Sequence, residues 1–408
     1  MTPVHGETGL HGQVARGFEP VREAFARNFA DHGELGAAVA VYVDGEKKAD
    51  LWGGVADAAT GRPWARDTLV LVFSVTKGAT GVLCALLAEQ GRLDLDAPVA
   101  RYWPEFAVNG KADVTVRHVL SHTAGLPVME ADLTVEELID GRPAAAALAA
   151  QRPLWEPGTR HGYHGLTYGW LTGEIVRRAT GQTVGELFAA EVAAPLGLDF
   201  HIGLPERSAA RLAPLIDPPV ADPAAVETAI AALPDPEARA VARDIIAAMS
   251  DPASLMYRMA MCNGTLPTPA ALLWNRRDLH AAEQPAANGV TDACSLARMY
   301  AACVGEVDGT RLLSAAALAA ATREQAAGTD QVMPFRNRFA TGFTLPSPSL
   351  RLLSGHSFGQ LGASGALGFG DSAHRVGLGY VTNLIGGAPE GDPRPAALVS
   401  ALREVLKA

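Results

Sequence analysis

The strand signals of this 408-residue chain stand at its two ends, which restricts the folds open to it more than any other feature. Near the N-terminus AAVAVYV and KADLWGGV flank the turn pair Asp44-Gly45, the pattern of a β-hairpin. Near the C-terminus ALGFG and RVGLGYVTN flank the turn-rich DSAH, and RPAALVSALREVLKA follows as a terminal helix. Between about Thr76 and Ala320 the signals are mostly helical or loop-like. TYGWLTGEIVRRATG and TVGELFAAEVAAPLG each end at a glycine just past the expected helix C-terminus. The expected architecture is α+β: one antiparallel sheet built from residues 1–75 and 321–408 and flanked by helices. A mostly helical domain, residues 76–320, is inserted, with a cleft between the two. Val14, Phe18, Val21, Phe25 and Phe29 recur every three or four residues and predict an amphipathic helix ahead of the first hairpin. The Pro- and Ala-rich segment 214–252 reads as an elaboration of the insert, and 214–274 is expected to shape one wall of the cleft.

Composition narrows the functional classes. Hydrophobic residues at 48% with 19% charged fit a globular core rather than disorder. A net charge of −10 without a basic tract opposes nucleic acid or an anionic membrane as partner. The N-terminus lacks a charged stretch followed by an apolar one, so no secretory signal is expected, and no apolar run is long enough to span a bilayer. Cys84, Cys262, Cys294 and Cys303 are scattered, with no Cys-x-x-Cys pair, and read as reduced thiols of a cytoplasmic protein.

Only five of the 34 basic residues are lysines, yet Lys77 falls in the apolar run FSVTKGATGVLCALLAEQG, three residues after Ser74. Arginine does not give up its proton in a protein; a buried lysine can. TLVLVF reads as an extended lead-in, and the run after Ser74 as a buried helix ending near Gly91. Ser74 then stands at a helix N-terminus with Lys77 one turn on, over the same face. A serine hydroxyl needs a neighbouring base to become a nucleophile, and a helix N-terminus favours developing negative charge. Lysine serves as that base if desolvation lowers its pKa to about 7–8, at a cost of roughly 3–5 kcal/mol. The spacing alone is unspecific, since about 0.35 Ser-x-x-Lys matches arise by chance in a chain of this composition.

Beyond SVTK, the chain carries GRLDLDAPVARYWPEF, VTVRHVLSHTAGLP, EPGTRHGYHGLTYGWLTGEIVRRATG, AANGVTDACSLARMYA and FGQLGASGALGFGDSAHRVGLGYVTN, in that order. This ordered set resembles the serine β-lactamase and penicillin-binding-protein superfamily, closest to the β-lactamase-like esterases (family VIII carboxylesterases and class C-like relatives). The resemblance implies a β-lactamase/DD-peptidase-like fold and a serine hydrolase without cofactor or metal. It makes Ser74 the nucleophile, Lys77 the lysine of Ser-x-x-Lys, and Tyr163 in GYHG the second-motif tyrosine, which shares the base role and returns a proton to the leaving group. An ammonium and a phenol that close titrate as a pair. The third motif falls on Gln360-Leu361-Gly362, and Ala363 presents its N–H beside that of Ser74 as an oxyanion hole. Gln360, Gly362 and His164 are expected to contact substrate.

Two departures bear on substrate. β-Lactamases follow the tyrosine with Ser-Asn, whereas His164 and Gly165 stand here; and the third motif usually opens with a cation, whereas Gln360 is neutral and lacks the strength of a charge-assisted hydrogen bond. Both favour small uncharged carboxylic esters over carboxylate-bearing lactams or D-Ala-D-Ala peptides. Two alternatives stay open: a β-lactamase, D-amino-acid peptidase or acyltransferase using the same acyl-enzyme, and a catalytically silent ligand-binding member. Other candidates have plainer readings. His161 and His164 have no carboxylate or thiol at metal-ligand spacing. His122 reads as a structural histidine, Asp94 and Asp96 as turn caps, Trp52 and Cys84 as packing residues. GASGA, a near match to a Gly-x-Ser-x-Gly nucleophile elbow at Gly362–Ala366, lacks the strand–turn–helix setting.

Overall fold

The computed structural model describes residues 2–3, 9–220, 222–233, 235–386 and 392–407. Asp44 and Gly45 both take positive φ, 53° and 77°, so strands Gly36–Val43 and Glu46–Asp57 close through the left-handed two-residue turn their sequence announces. The two ends of the chain then join: Val376–Thr382 pairs antiparallel with Gly36–Val43, from Val376↔Val43 to Thr382↔Ala37. The main sheet runs Thr2–Pro3, Leu10–Val14, Glu46–Asp57, Gly36–Val43, Val376–Thr382, Leu367–Asp371, Ser357–Leu361, with Arg62–Pro63 also paired to Glu46–Asp57. Ser357–Leu361, which carries the third motif, is an edge strand.

Alternation divides the side chains of these strands between two cores. Val39, Val41, Phe369, Leu378 and Tyr380 pack on one face with helices Glu19–Asp31 and Pro393–Leu406. Ala38, Ala40, Gly377 and Gly379 turn to the other face, against helix Ala293–Val304. The glycines are needed there: a Cβ on Gly377 would stand 2.3 Å from the Ala297 carbonyl oxygen, and one on Gly379 would stand 2.4 Å from that of Ala293. Ala293–Val304, which lies inside the expected insert, is thus part of the packing of the sheet itself.

The first helix differs from its expected start. Val14 belongs to strand Leu10–Val14, where it pairs with Ala49, and the helix begins at Glu19 with Pro20 in its first turn. The four- and three-residue spacings from Val14 to Phe18 and on to Val21 imitate a helical period across a strand and a turn. The other elements follow their signals. Helix Thr167–Thr180 ends on left-handed Gly181, and Ala194–Leu196 ends on left-handed Gly197. Segment 214–274 forms helices Pro223–Ala232, Pro236–Ser250 and Leu255–Met261, among shorter pieces. Among the described residues, no helix is long and apolar enough to cross a membrane. Replacing Gly379 by valine drives a side chain into the Ala293 carbonyl; urea unfolding should show a loss of about 3 kcal/mol, at the upper end for overpacking.

Candidate active site

Ser74 is positioned by a strained turn. Strand Val70–Leu71 pairs with Gly289–Thr291, and two residues later Phe73 adopts φ +46°, a left-handed conformation unusual for a bulky residue and worth roughly 1–3 kcal/mol of strain. The chain reverses there into helix Val75–Glu89, and Ser74 becomes its N-cap. The helix is buried along most of its length. Gly78 has no room for a side chain because the Tyr300 hydroxyl occupies it, and Gly81 lies against the backbone of Gly342.

Ser74 Oγ receives two hydrogen bonds. Lys77 Nζ donates from 3.1 Å and Tyr163 Oη from 2.9 Å. Lys77 Nζ also donates to the Ala286 carbonyl at 3.1 Å, and the side chain is 1% exposed. Burial alone pushes its pKa down to about 7, since no carboxylate balances the charge. The amine stands 4.9 Å from the Tyr163 ring centre and 5.7 Å from that of Tyr168. The three residues that the sequence singled out, separated by up to 89 positions, meet around one oxygen.

Tyr163 is held by a residue the sequence did not reveal. Both carboxylate oxygens of Asp330 accept the Tyr163 backbone N–H at 3.1 Å. The same carboxylate accepts from the N–H groups of Val332 and Met333 and from Asn337 Nδ2, at 2.8, 2.9 and 3.2 Å. Asp330 is 5% exposed; desolvation raises its pKa and the hydrogen bonds partly offset the rise. It ties the Tyr163 loop to the hairpin of strands Ala326–Thr329 and Arg336–Phe339, whose Phe339 stacks on the Tyr163 ring. An aspartate two residues before a pair of N–H donors is a local turn signal, but its partner 167 positions away is not readable.

His164 does not face substrate as expected. It is fully buried, its Nε2 accepts the Leu126 N–H at 3.0 Å, and its Nδ1 then carries the proton donated to the Gly162 carbonyl at 2.7 Å. Burial lowers its pKa to about 4, which keeps the ring neutral. With both nitrogens committed to backbone, His164 can neither meet a substrate nor ligate a metal. His122 accepts the His164 N–H on Nδ1 at 3.0 Å and packs against Tyr163, Tyr168 and Phe339. Desolvation, first of all, holds its pKa well below the usual histidine range, and the titratable neighbours His164 and Lys77 push in the same direction.

At the sheet edge, Gln360 points to the Ser74 side. Its Oε1 accepts from Thr344 Oγ1 at 2.8 Å and its Nε2 donates to Tyr163 Oη at 3.4 Å, so one N–H of this amide helps to orient the phenol. Gly362 lies against the turn before Ser74: a Cβ there would stand 2.4 Å from the Val72 carbonyl oxygen. Ala363 follows, exposed, and neither its N–H nor that of Ser74 donates to an acceptor among the described residues. The loop is fixed from below. Arg394, 3% exposed, donates to the Ser364 carbonyl at 2.9 Å while paired with Asp392 at 2.7 Å and Glu34 at 3.2 Å. Ser364 is fully buried, which disposes of the elbow reading of GASGA.

The Beta-lactamase family model matches residues 21–403. The chain belongs to the β-lactamase family, and with it to the esterase- and β-lactamase-like serine hydrolases. The Esterase/beta-lactamase LipL of Mycobacterium tuberculosis is 37% identical over 377 residues, 90% of this chain and 81% of the relative. The crystal structure of a family VIII carboxylesterase superposes with a TM-score of 0.82 at 37% identity, covering 97% of this chain and 99% of that one. A penicillin-binding protein homologue from Caulobacter crescentus superposes with a TM-score of 0.80 at 36% identity, over the same shares. The family and the β-lactamase/penicillin-binding-protein-like fold expected from the ordered motifs are therefore those of the protein.

Two measurements probe this arrangement without reference to a substrate. A lysine whose pKa falls from 10.5 to about 7 opposes folding, by on the order of 5 kcal/mol below pH 7, where both states hold the proton. Between pH 7 and 10.5 the unfolded chain binds the proton and the native one does not, so this penalty shrinks as pH rises. Lys77→Met should therefore raise the melting temperature most at pH 6 and progressively less toward pH 10. Asp330→Ala leaves four N–H donors without their acceptor and should cost about 2–4 kcal/mol, with hydrogen-exchange protection of the Tyr163 amide lost before that of the sheet.

Proposed function

We propose that the protein is a carboxylesterase that cleaves small uncharged esters through an acyl-enzyme on Ser74. The observation that carries this reading is the convergence of Lys77 Nζ and Tyr163 Oη on Ser74 Oγ, with the lysine pKa brought to about 7. In acylation, neutral Lys77, with Tyr163, takes the hydroxyl proton as Oγ attacks the ester carbonyl. The resulting oxyanion is received by the N–H groups of Ser74 and Ala363 at the N-terminus of helix Val75–Glu89, where such a donor is worth about 3 kcal/mol. The tetrahedral adduct collapses, the C–O bond to the alcohol breaks, and Tyr163 delivers the proton to the departing oxygen. A water molecule then repeats the sequence on the acyl-enzyme and releases the acid.

The surroundings support an ester over a charged lactam. Gly165 offers no amide where β-lactamases have asparagine, and the Met259 side chain occupies the space beside it, 2.3 Å from where a Cβ would stand. Val128, Met259 and Val332 are buried beside Tyr163, with Trp155 and Met333 packed on them, an apolar environment for uncharged substrate groups. Gln360 contributes no cation and its amide is already engaged. The names of two relatives, Esterase/beta-lactamase LipL and a family VIII carboxylesterase, point the same way. The first of these names also keeps β-lactam hydrolysis as a second reading.

Turnover of p-nitrophenyl butyrate should fall at least about 10⁴-fold in Ser74→Ala and about 10³-fold in Lys77→Arg, which cannot release its proton. Below pH 7 Lys77 is protonated, so kcat/KM should rise with pH and level off above about 7. Undiminished activity in Ser74→Ala would refute the acyl-enzyme. Nitrocefin hydrolysis as fast as that of the ester would move the assignment to the lactam reading.

A further inference from the structure

A cavity of about 940 Å³ opens on the side of the sheet edge away from Ser74. Leu361 and Leu367, paired across the last two strands, form part of its floor. They point to the terminal-helix face, whereas Gln360 points to Ser74. Helix Pro236–Ser250 provides the opposite wall and turns Val241, Ile245 and Met249, at intervals of four, into the space. Phe335, in the turn of the hairpin that holds Tyr163, and Leu352 close it further. Ser74, Lys77 and Tyr163 do not line it.

Aliphatic side chains predominate in these walls, so water within the cavity would find few partners, and an apolar stripe facing empty space gains little from burial. The volume lies within the range of small-molecule sites. The walls present too few polar groups for a sugar or a nucleotide, and suit a flexible hydrocarbon chain. Charge at the rim specifies the other end of the ligand. Arg336 and Arg351 are exposed there and have no carboxylate partner among the described residues. Of the acids alongside, Asp392 is committed to Arg394, while Asp235, which accepts the Glu237 N–H, and Glu237 stand together at the start of helix Pro236–Ser250.

We propose that this cavity binds an aliphatic carboxylate, a medium-chain fatty acid whose tail lies between helix Pro236–Ser250 and the sheet edge and whose head meets Arg336 and Arg351. The site is separate from the serine centre and does not depend on the esterase reading.

The full-length protein, with Ser74 blocked by a phosphonate, is titrated with 11-(dansylamino)undecanoic acid, followed by competition with dodecanoate, dodecanol and dodecylammonium. Saturable single-site binding that dodecanoate displaces is expected, with dodecanol and dodecylammonium at least about tenfold weaker. Ile245→Arg should weaken binding by at least about tenfold and leave p-nitrophenyl acetate turnover unchanged. Should that variant fail to fold, the Arg336→Ala/Arg351→Ala double variant carries the test: it should lose about tenfold for dodecanoate and nothing for dodecanol. Absence of saturable binding overturns the proposal. So does preference for dodecylammonium, binding only to vesicles, loss of binding on phosphonylation of Ser74, or affinity indifferent to the arginine pair.

Discussion

The protein depends on keeping one amine out of water. Lys77 sits in the first turn of an almost wholly buried helix, where its amine donates to the Ser74 hydroxyl and the Ala286 carbonyl. A carboxylate beside it would have stabilised the charged form and returned the pKa to the surface range. The site instead surrounds the amine with aromatic faces and neutral imidazoles. Stability is given up at this position to hold an amine that loses its proton near neutral pH, and perturbed groups of this kind cluster at functional sites.

Several elements of the scaffold serve that requirement. The glycine stripe on Val376–Thr382 lets Ala293–Val304 lie close to the sheet, and Tyr300 of that helix fills the space beside Gly78. The left-handed Phe73 directs Ser74 toward the edge strand, and Gly362 allows the strand end to approach. Asp330 and Arg394, both buried, hold the phenol loop and the Ser364 loop through backbone groups rather than side chains. Such contacts constrain position without presenting chemistry of their own.

What could be read from the sequence follows from the range of the interactions. The Asp44-Gly45 turn, the glycines ending helices and the Ser74/Lys77 spacing are local, and each appears as expected. Tyr163, Gln360 and Ala363 were reachable through resemblance alone, because no spacing rule links positions so far apart. The roles of Asp330 and Arg394 carry no sequence signal, because the Tyr163 N–H and the Ser364 carbonyl that they hold lie on remote segments. His164 was misplaced because its polarity was read without its burial: two backbone partners, invisible in the sequence, satisfy the ring completely. The first helix was drawn too early because a strand and a turn can mimic a helical period over one repeat.

The pairing of Gly36–Val43 with Val376–Thr382 also governs how the molecule comes into being. During synthesis the first hairpin waits with an open edge while more than three hundred residues emerge before Val376–Thr382 can pair with it. Ser74 and Lys77 can occupy their helix early, but the wall carrying Gln360 and Ala363 cannot be added until strand Ser357–Leu361 has been made. A product interrupted before Ser357–Leu361 therefore holds Ser74 and Lys77 without their enclosure, and the site stays incomplete while that strand is missing.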